Sequence, residues 1–382
     1  MIAIGLMSGT SLDGIDAALL NVVPRGESYE LDLFGFETYP FEDRLLQTLH
    51  SALPPQSGSV AIAAQLHRAL GEALAHAAVR IAGSRQADYV ASHGQTVWHD
   101  GSRHVTFQLG DPFVIRERTR ATVCYDFRSA DCAAGGHGAP LVPYVDALLF
   151  SSEWEDRIAL NLGGIANVTL LPKARRGDVA AFDTGPGNML LDAFVRERSG
   201  GERSIDRDGA LAAGGALDSQ VLAAMLADDY FADPPPKSTG RERFGAQFLA
   251  RHGEALSRLS VEDGLATLVE LTAASVALAV RAANFQPARI IASGGGVRNR
   301  HLMSRITARF SPASVETTDA MGIPSDAKEA MAFAVLGYET LRGRQANLVR
   351  ATGAQRAVPL GAIAPYRLSE LLAKVERECR AS

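Results

Sequence analysis

The sequence contains few cysteines. Its 382 residues include 3, Cys124, Cys132 and Cys379, and no two of them form a CxxC pair. An odd number with this spacing predicts neither a disulfide framework nor a zinc site with four ligands. Isolated thiols are typical of proteins in a reducing compartment, so the sequence favours a cytoplasmic location.

Positive charge is not in excess. The chain has 38 lysines and arginines against 43 aspartates and glutamates, which gives a formal net charge of −5 at pH 7. A protein that binds a nucleic acid backbone needs a basic surface to neutralise the phosphates. We therefore expect no nucleic acid partner.

Long uninterrupted apolar runs are also lacking. Residues 1–10 have no basic segment, and glycine, serine and threonine interrupt their apolar run, which predicts no signal peptide. Residues 269–283 are the most apolar later stretch, but they contain Glu270 and Arg281 and are short for a bilayer. The sequence therefore predicts no membrane anchor.

Apolar residues are nevertheless abundant enough for a core. With 47% hydrophobic and 21% charged residues, the composition indicates a globular protein. Its length exceeds the roughly 250 to 300 residues of one core, which favours two lobes. Helical periodicity, as at 60–82, 188–198 and 244–258, alternates with short strands, as at 89–92, and predicts the α/β class. The glycine-rich residues 135–138 are the predicted crossing, giving lobes of 1–135 and 136–382, with the C-terminal segment free to return to the first lobe.

Two hairpins suggest an internal repeat. Residues 2–5 and 15–23 are apolar, strand-like runs joined by a loop of turn-forming residues. Residues 157–162 and 167–171 repeat this arrangement around the small residues 163–166. We therefore interpret the two halves as repeats of one supersecondary unit.

The loop of the first hairpin combines small residues, hydroxyls and carboxylates: Ser8, Gly9, Thr10, Ser11, Asp13, Gly14 and Asp16. Unobstructed backbone N–H groups suit phosphate oxygens, and carboxylates suit a hydrated Mg²⁺. The alternative is an ordinary polar turn, because glycine and aspartate also satisfy positive φ angles there.

The second hairpin leads to Asp183, which stands at a strand end before the glycine-rich entry to a helix. A carboxylate in this position suits a general base, with nearby N–H groups facing an anion. An aspartate that only caps the turn is the alternative. The following residues half-match the dinucleotide fingerprint GxGxxG, but Leu190 stands in place of the third glycine, which disfavours a dehydrogenase.

A third loop contains Gly294, Gly295 and Gly296 between a predicted strand at 289–293 and a predicted helix from Asn299. Three glycines allow close backbone approach to a flat ligand such as adenosine, although a tight turn alone would also use them. The sequence contains no GxxxxGK[ST] motif, so phosphoryl transfer would require a scaffold other than a P-loop.

Other polar residues are open to two interpretations. His93 and His99 lack an HExxH pattern and a third ligand, which disfavours a zinc site. A polar loop that holds a sugar is the favoured interpretation, and ordinary buried turn residues are the alternative. Glu329 follows Asp326 by three residues, and from sequence alone a capping role at a helix start is the favoured interpretation.

Taken together, the loops resemble those of the anhydro-N-acetylmuramic acid kinases over nearly the whole chain. The matching motifs are GLMSGTSLDGID at 5–16, SHGQTVWH at 92–99, FQLGDP at 107–112, DFRSADCAAGGHGAPLVP at 126–143, LNLGGIANVT at 160–169, FDTGPGN at 182–188, PPKSTGRERF at 235–244, SGGGVRN at 293–299 and PSDAKEAMAFA at 324–334.

The resemblance implies a two-lobed α/β fold like that of actin, hexokinase and the Hsp70 ATPase, with a duplicated core and ATP in the cleft. It implies Asp183 as the catalytic base and Glu329 as a second catalytic residue. The sugar site is expected to include both carboxylates together with His93, Gly94 and Gln95. The residues implied in nucleotide binding are Gly9, Thr10, Ser11, Leu12, Asp13, Gly14, Ile15, Asp16, Gly163, Gly164, Gly294, Gly295 and Gly296, with Mg²⁺ carried by ATP and contacted through water by Asp13 or Asp16.

The activity implied by the resemblance is ATP-dependent phosphorylation of 1,6-anhydro-N-acetylmuramic acid at O6, with water opening the anhydro bridge. The product would be N-acetylmuramic acid 6-phosphate, an intermediate of cell-wall recycling. Two alternatives stay open: a sugar kinase of the same superfamily acting on an ordinary hydroxyl, and a protein that senses ATP or a muropeptide without turnover. The expected partner is a small amino sugar, and a homodimer is compatible with the sequence.

Overall fold

The computed structural model describes residues 1–9, 12–53, 58–235 and 237–381. The chain divides into two compact units, Met1–Leu149 with Ala327–Ser382, and Phe150–Asp326. The boundary predicted between residues 135 and 136 lies inside the first unit, so the two divisions differ in where this unit ends. The C-terminal part of the chain belongs to the first unit.

Strands and helices alternate along the chain. The strands are β1 (Ile2–Ser8), β2 (Ile15–Arg25), β3 (Ser28–Tyr39), β4 (Tyr89–Asp100), β5 (Val105–Leu109), β6 (Thr122–Tyr125), β7 (Arg157–Leu162), β8 (Ile165–Leu171), β9 (Ala180–Pro186), β10 (Arg289–Ser293), β11 (Ser314–Thr317) and β12 (Ala362–Ala364). The helices are α1 (Asp43–Ala52), α2 (Val60–Ala82), α3 (Pro112–Thr119), α4 (Ser129–Ala133), α5 (Val142–Phe150), α6 (Asn188–Arg198), α7 (Ala210–Ala213), α8 (Ser219–Leu226), α9 (Arg241–Phe244), α10 (Ala246–Arg251), α11 (Gly253–Ser257), α12 (Val261–Ala282), α13 (Arg300–Phe310), α14 (Lys328–Arg342), α15 (Val349–Thr352) and α16 (Leu368–Ala381). Short 3-10 turns occur at Gly101–Arg103, Arg176–Asp178, Arg207–Gly209, Asp229–Phe231, Gly295–Arg298 and Thr318–Met321.

The two units repeat one sheet topology. In the first unit the strand order is β12-β6-β4-β1-β2-β3, with β5 paired to β4, and in the second it is β11-β10-β7-β8-β9. β1, β2 and β3 are antiparallel neighbours, and so are β7, β8 and β9. β4 and β6 continue parallel to β1, as β10 and β11 continue parallel to β7. The predicted α/β class with a duplicated core is therefore confirmed, and both predicted hairpins are present.

The core of the first unit lies between its sheet and α2. This helix begins at Ser59, whose side chain accepts a hydrogen bond from the N–H of Ile62, and such a cap satisfies a donor that the first turn leaves free. Leu66, Leu70 and Leu74 recur every fourth residue, so they share one face and pack into the same cluster as Ile4 of β1. Burying each leucine contributes roughly 1.5 to 3 kcal/mol.

The core of the second unit is built around α12. Among the described residues, this is the one helix long and apolar enough to cross a membrane, by length and composition only. The apolar stretch noted at 269–283 is part of this longer helix, which begins after the Ser260 cap and has 22 residues. However, 83% of its most apolar part is buried inside the structure, as in the core helix of a globular protein.

Apolar periodicity predicted several of the other helices. The structure confirms α2 and α6 with the bounds predicted from periodicity, 60–82 and 188–198. The single helix predicted at 244–258 is wrong, because α9 ends at Phe244, the backbone is extended at Gly245, and the rest of the segment forms two short helices, α10 and α11. The strand predicted at 89–92 is longer and continues to Asp100.

Candidate active site

The loop of the first hairpin is held by hydrogen bonds from β4. Ser8 Oγ donates to Gln95 Oε1 at 2.6 Å, and Gln95 Nε2 donates to the Gly9 carbonyl oxygen at 3.2 Å. Gly14 has φ 155°, and a Cβ atom there would lie 2.6 Å from the Tyr39 carbonyl oxygen. The glycine is therefore needed for the loop to close, whatever it binds. Thr10 and Ser11, two predicted nucleotide ligands, lie outside the described residues.

The carboxylates of this loop differ in exposure. Asp13 is exposed, whereas Asp16 is half-buried and accepts a hydrogen bond from Thr38 Oγ1 at 2.6 Å. Leu12 adopts a positive φ of 62° that shapes the turn, and the side chains of Leu12 and Ile15 are buried in the core. Among the described residues no three His, Cys, Asp or Glu side chains converge as a metal site. One or two carboxylates suffice for Mg²⁺ that arrives with phosphates and water, so Asp13 and Asp16 fit that ion.

His93 lies next to this loop and is almost fully buried. Arg128 Nε donates to His93 Nε2 at 2.9 Å, so the proton of the neutral ring is on Nδ1, which is 2.9 Å from the Gly94 carbonyl oxygen. Burial, and then the Arg128 charge, lower the pKa of His93 to about 3. The ring is therefore neutral at physiological pH. Gly94 has φ 73°, and a Cβ atom there would lie 2.6 Å from the Leu109 carbonyl oxygen.

Arg128 was not singled out from the sequence. Its Nη1 donates to the Gly138 carbonyl oxygen at 2.8 Å, which ties the glycine-rich residues 135–138 to the guanidinium. Glu329 is a neighbouring negative charge that favours the charged form of Arg128, although burial lowers the pKa of the guanidinium overall. The arginine stands inside the DFRSAD motif, so a basic residue surrounded by acids was the available signal.

Glu329 lies in the first turn of α14. The N-cap of this helix is Ala327, without a side-chain cap, and Asp326 forms an ion pair with Arg298. The capping interpretation of Asp326 and Glu329 is therefore wrong. Glu329 is exposed, yet surrounding protein atoms raise its pKa, an effect to which the nearby charge of Asp16 adds and which that of Lys328 opposes.

A close contact between helix and strand positions Glu329. A Cβ atom at Gly5 would lie 1.8 Å from the Ala330 carbonyl oxygen, so only glycine allows α14 to begin against β1. The adjacent Lys328 is buried and pairs with buried Asp146 at 2.7 Å. Removing one partner of such a pair typically costs about 3 to 5 kcal/mol, so the start of α14 is firmly held.

Asp183 of β9 is positioned by a β-bulge. The pairing of β8 with β9 shifts register between Ala166 and Asn167, which leaves Thr184 as the extra residue beside Asp183. Buried Thr184 Oγ1 donates to the Ala166 carbonyl oxygen at 3.1 Å. Bulges of this kind bend a strand and redirect a side chain, and they are frequent next to active sites.

The segment at 237–240 holds Asp183 from the other side. Asp183 N–H donates to the Lys237 carbonyl oxygen at 2.9 Å, and Thr239 N–H donates to Asp183 Oδ2 at 2.9 Å. Tyr230 Oη donates to the Asp183 carbonyl oxygen at 2.8 Å, and Lys237 Nζ donates to the Tyr230 carbonyl oxygen at 2.7 Å. Lys237 and Thr239 are therefore part of the aspartate's support.

The electrostatic state of Asp183 suits a base. Desolvation raises its pKa to about 6; the Thr239 hydrogen bond opposes this shift, and the charge of Glu242 adds to it. Asp183 Oδ2 accepts the Thr239 N–H, whereas Oδ1 has no protein partner in the described part of the chain. The carboxyl is therefore mostly ionised at pH 7 and has one oxygen available to accept a proton.

The second hairpin loop closes on the start of α6. The N–H of Asn188 donates to the Gly163 carbonyl oxygen at 2.8 Å, and the N–H of Gly187 donates to the Gly164 carbonyl oxygen at 2.9 Å. A Cβ atom at Gly187 would lie 2.3 Å from the Gly163 carbonyl oxygen. The carbonyls of Gly163 and Gly164 are therefore engaged within the protein.

The three glycines after β10 are not equivalent. Cβ atoms at Gly294 and Gly296 would lie 2.8 Å from Asn161 Oδ1 and 2.6 Å from Leu162 Cβ, so these two glycines pack against β7. Gly295 is exposed, and a Cβ atom there would meet only Asn188 Nδ2, at 3.9 Å. Gly295 is therefore the glycine whose open side is free for a ligand.

The structure thus forms two groups from the predicted residues. In the first unit the hairpin loop, His93, Gln95 and Glu329 lie around Arg128 and Asp16. In the second unit the loops at 163–164 and 294–296 lie together at the ends of β7 and β10, in the sheet that carries Asp183. The roles assigned to these residues stay predictions. Sequence reasoning missed Arg128, Thr239 and Tyr230, because each acts through a contact with a distant part of the chain.

Comparison with known proteins identifies the chain's relatives. The family model for anhydro-N-acetylmuramic acid kinase matches residues 1–366. A protein named anhydro-N-acetylmuramic acid kinase from Xanthomonas axonopodis pv. citri is 45% identical over 371 residues, covering 95% of this chain and 97% of that protein. Proteins of the same name from Streptomyces coelicolor and Caldanaerobacter subterraneus subsp. tengcongensis are 43% and 40% identical, covering 96% and 95% of this chain and 94% and 96% of their own lengths. Membership of a kinase family implies the use of ATP. The chain belongs to the anhydro-N-acetylmuramic acid kinase family.

Proposed function

We propose that this enzyme uses ATP to phosphorylate O6 of 1,6-anhydro-N-acetylmuramic acid while water opens the anhydro bridge, giving N-acetylmuramic acid 6-phosphate for cell-wall recycling. The observation that carries the proposal is the carboxyl of Asp183. One oxygen is fixed by Thr239, and the other has no protein partner among the described residues. Its pKa of about 6 makes it an effective base near neutral pH.

The substrate determines what a base can do here. In a 1,6-anhydro sugar, O6 is bonded to C1 and has no proton to lose, so Asp183 cannot activate it as a hydroxyl. Water is the group that needs a base. Asp183 Oδ1 accepts a proton from water as the water oxygen bonds to C1 and the C1–O6 bond breaks; O6 then bonds to the γ-phosphorus, and ADP leaves. One carboxylate therefore serves both bond changes.

We propose that the glycine-rich loops of each unit bind ATP through backbone N–H groups. These are residues 9–16 in the first unit and residues 163–164 and 294–296 in the second. Phosphoryl transfer depends mainly on positioning and on neutralising charge, which such loops supply. Mg²⁺, bound with ATP, would neutralise charge on the phosphates, and Asp13 and Asp16 are the residues that would hold it through water.

On the sugar side we propose Glu329, with His93, Gly94 and Gln95 as the supporting loop. Both nitrogens of His93 and both polar atoms of Gln95 have partners within the protein. Their contribution is therefore to keep Arg128 and the first hairpin loop in place. Glu329 is exposed, so its carboxylate is free to reach sugar hydroxyls.

The proposed location is the cytoplasm, where ATP is available. All three cysteines are free thiols, and Cys124 and Cys132 are buried, as expected for a protein in a reducing compartment. The expected partner is the small amino sugar, with neither nucleic acid nor membrane.

The experiment is a comparison of acceptors with the purified chain and Mg-ATP. With the anhydro sugar we expect ADP and N-acetylmuramic acid 6-phosphate in equal amounts, and with N-acetylmuramic acid we expect little product, because its anomeric carbon has no bridge to open. Preference for N-acetylmuramic acid would instead indicate an ordinary sugar kinase. Binding of both ligands without ADP formation would indicate a sensor.

A further inference from the structure

Four polar residues lie side by side across the sheet of the second unit. The register pairs Ser293 of β10 with Asn161 of β7, Asn161 with Asn167 of β8, and Asn167 with Asp183 of β9. Residues directly opposite in neighbouring strands project from the same face of a sheet. The four side chains therefore form one row, which has Asp183 at its end.

This row is on the face opposite the apolar core. The residues that precede these four along their strands, Leu160, Ala166, Phe182 and Ala292, all belong to the buried cluster packed against α12. Side chains alternate between faces along a strand, so the next residues point away from that core. Asn161, Asn167 and Asp183 are half-buried, as expected for polar groups that line a surface and do not fill an interior.

Asn167 is the member of the row closest to Asp183. Directly opposite residues of antiparallel strands have Cβ atoms about 4.5 to 5.5 Å apart. The side-chain amide of Asn167 makes no hydrogen bond to any described residue, although polar groups in folded proteins usually have a partner. Oδ1 of Asp183 is likewise available, because Thr239 bonds only Oδ2. A water molecule bound to Asp183 Oδ1 is therefore within reach of the Asn167 amide.

We propose that Asn167 binds the attacking water together with Asp183. This inference rests on the proposed function. The amide oxygen of Asn167 accepts one hydrogen of the water, and Asp183 Oδ1 accepts the other, which directs the oxygen lone pair away from both residues and toward C1 of the sugar. As the O–C1 bond forms, the proton moves to Asp183 Oδ1, and the C1–O6 pair of electrons stays on O6. Asn167 forms and breaks no covalent bond, and its role is to orient the water.

Asn161 has a different position in the row. Cβ atoms built at Gly294 and Gly163 would lie 2.8 Å from Asn161 Oδ1 and 3.5 Å from its Nδ2, so this amide lies beneath the two glycine loops assigned to the nucleotide. The row therefore runs from the proposed nucleotide loops to the base. Substitutions of its two central members, Asn161 and Asn167, should separate effects on ATP from effects on water.

The test is steady-state kinetics of Asn167→Ala and Asn167→Ser with the anhydro sugar. We expect Asn167→Ala to lower kcat about 10- to 100-fold, as misplacement of a reacting group does, with KM for ATP changed less than about twofold. Asn167→Ser keeps a hydroxyl that accepts a hydrogen from water, so it should recover part of the loss. Asn161→Ala should instead raise KM for ATP. Gln220→Ala, on the exposed side of α8, is the neutral control.

The outcomes distinguish this inference from the proposed function. Full turnover by folded Asn167→Ala would overturn the role of Asn167 while leaving the kinase activity intact. A raised KM for ATP with unchanged kcat in either variant would indicate a contact with the nucleotide and would also overturn that role. An unsubstituted chain that converts no anhydro sugar would contradict the proposed function itself. Thermal unfolding of each variant shows whether a lost rate reflects a lost fold, and Asn167→Ser provides the folded variant if Asn167→Ala is unstable.

Discussion

Asp183 combines a free carboxylate oxygen with an environment that raises its pKa to about 6. We expect Asp183→Asn to lower turnover at least about 100-fold, because a positioned base typically contributes about 10²- to 10⁴-fold. The fold should survive, since the amide oxygen of asparagine still accepts the Thr239 N–H. Turnover and thermal unfolding measured together check this prediction, and near-normal turnover in a folded variant would remove Asp183 from the role of base.

Asp192 provides a matched control for this substitution. Desolvation raises its pKa to about 6 as well, but it lies on α6 and not on the sheet. If position decides the effect, Asp192→Asn should retain turnover within a few-fold of the unsubstituted chain. Equal losses in both variants would show that removing a buried acid is harmful wherever it lies.

His93 makes stability depend on pH. Its pKa in the folded protein is about 3, below the ordinary value of 6.5, because burial and Arg128 disfavour the imidazolium. The unfolded chain therefore binds a proton first as pH falls below 6.5, and stability falls by about 1.4 kcal/mol per pH unit toward pH 3. We expect His93→Gln, which can still accept a hydrogen bond from Arg128, to lose this slope. Denaturant unfolding of both proteins at pH 7 and pH 5 measures it, and identical slopes would contradict the assignment.

At the scale of elements, the segment at 237–240 influences the pKa of Asp183. Desolvation raises the pKa of the carboxyl, and the Thr239 N–H lowers it, whereas Thr239 Oγ1 is buried without a hydrogen-bond partner among the described residues. Activity should rise with pH through an apparent pKa near 6, because the base works only when ionised. Thr239→Pro removes the N–H and should move this rise to higher pH, while Thr239→Ala keeps the N–H and should leave it in place. Profiles of kcat/KM against pH test the pair, and coincident profiles for both variants would argue against the hydrogen bond.

The glycine loop after β10 allows a second test at this scale. Gly295→Val adds atoms on an open side, so we expect weaker ATP binding with unchanged stability. Gly296→Ala places a Cβ atom 2.6 Å from Leu162 Cβ and should reduce stability first. Gly177→Val, at an exposed glycine with no atom within 4 Å, is the control. Calorimetric titration with ATP and with the sugar separates the ligands, and equal weakening of both would indicate misfolding.

Local patterns explain which elements could be predicted. The bounds of α2 and α6 follow from apolar periodicity, and the two hairpins follow from strand-like runs around small residues. The sequence analysis did not predict β3, although its burial alternates along much of its length. The division of 241–257 into three helices depends on backbone angles at Gly245 that composition does not reveal. Short-range signals therefore predict elements better than their interruptions.

The candidate site was only partly predictable for a different reason. Asp183 stands out because it precedes a glycine-rich helix entry, but Thr239 contacts it from 56 residues away in sequence. Arg128 reaches His93 across 35 residues, and the row from Ser293 to Asp183 exists only through strand register. Loop composition thus indicates where a ligand binds, whereas the groups that set protonation and orientation come from tertiary contacts.

At the scale of the whole molecule, the two units share one strand order, β3-β2-β1-β4-β6 and β9-β8-β7-β10-β11. In each unit the hairpin loop joins the second and third strands of this order. The duplication was predictable from the two hairpins, and the return of residues 327–382 to the first unit shows that chain order alone does not define the units. The carboxylate proposed as base is found in the second unit only, at the bulge of β9. The proposed chemistry therefore differs between the two units of the duplicated scaffold.

The central claim is that water attacks C1 of the sugar while O6 takes the phosphoryl group, and turnover in ¹⁸O-water tests it most directly. Because reducing sugars exchange their anomeric oxygen with solvent, the product must be trapped quickly and compared with N-acetylmuramic acid 6-phosphate incubated for the same time. The account predicts ¹⁸O on C1 above this exchange control and an unshifted phosphorus signal. An isotope-shifted phosphorus resonance in the sugar phosphate would mean that an oxygen bonded to phosphorus came from water and not from O6 of the sugar, and would contradict the account.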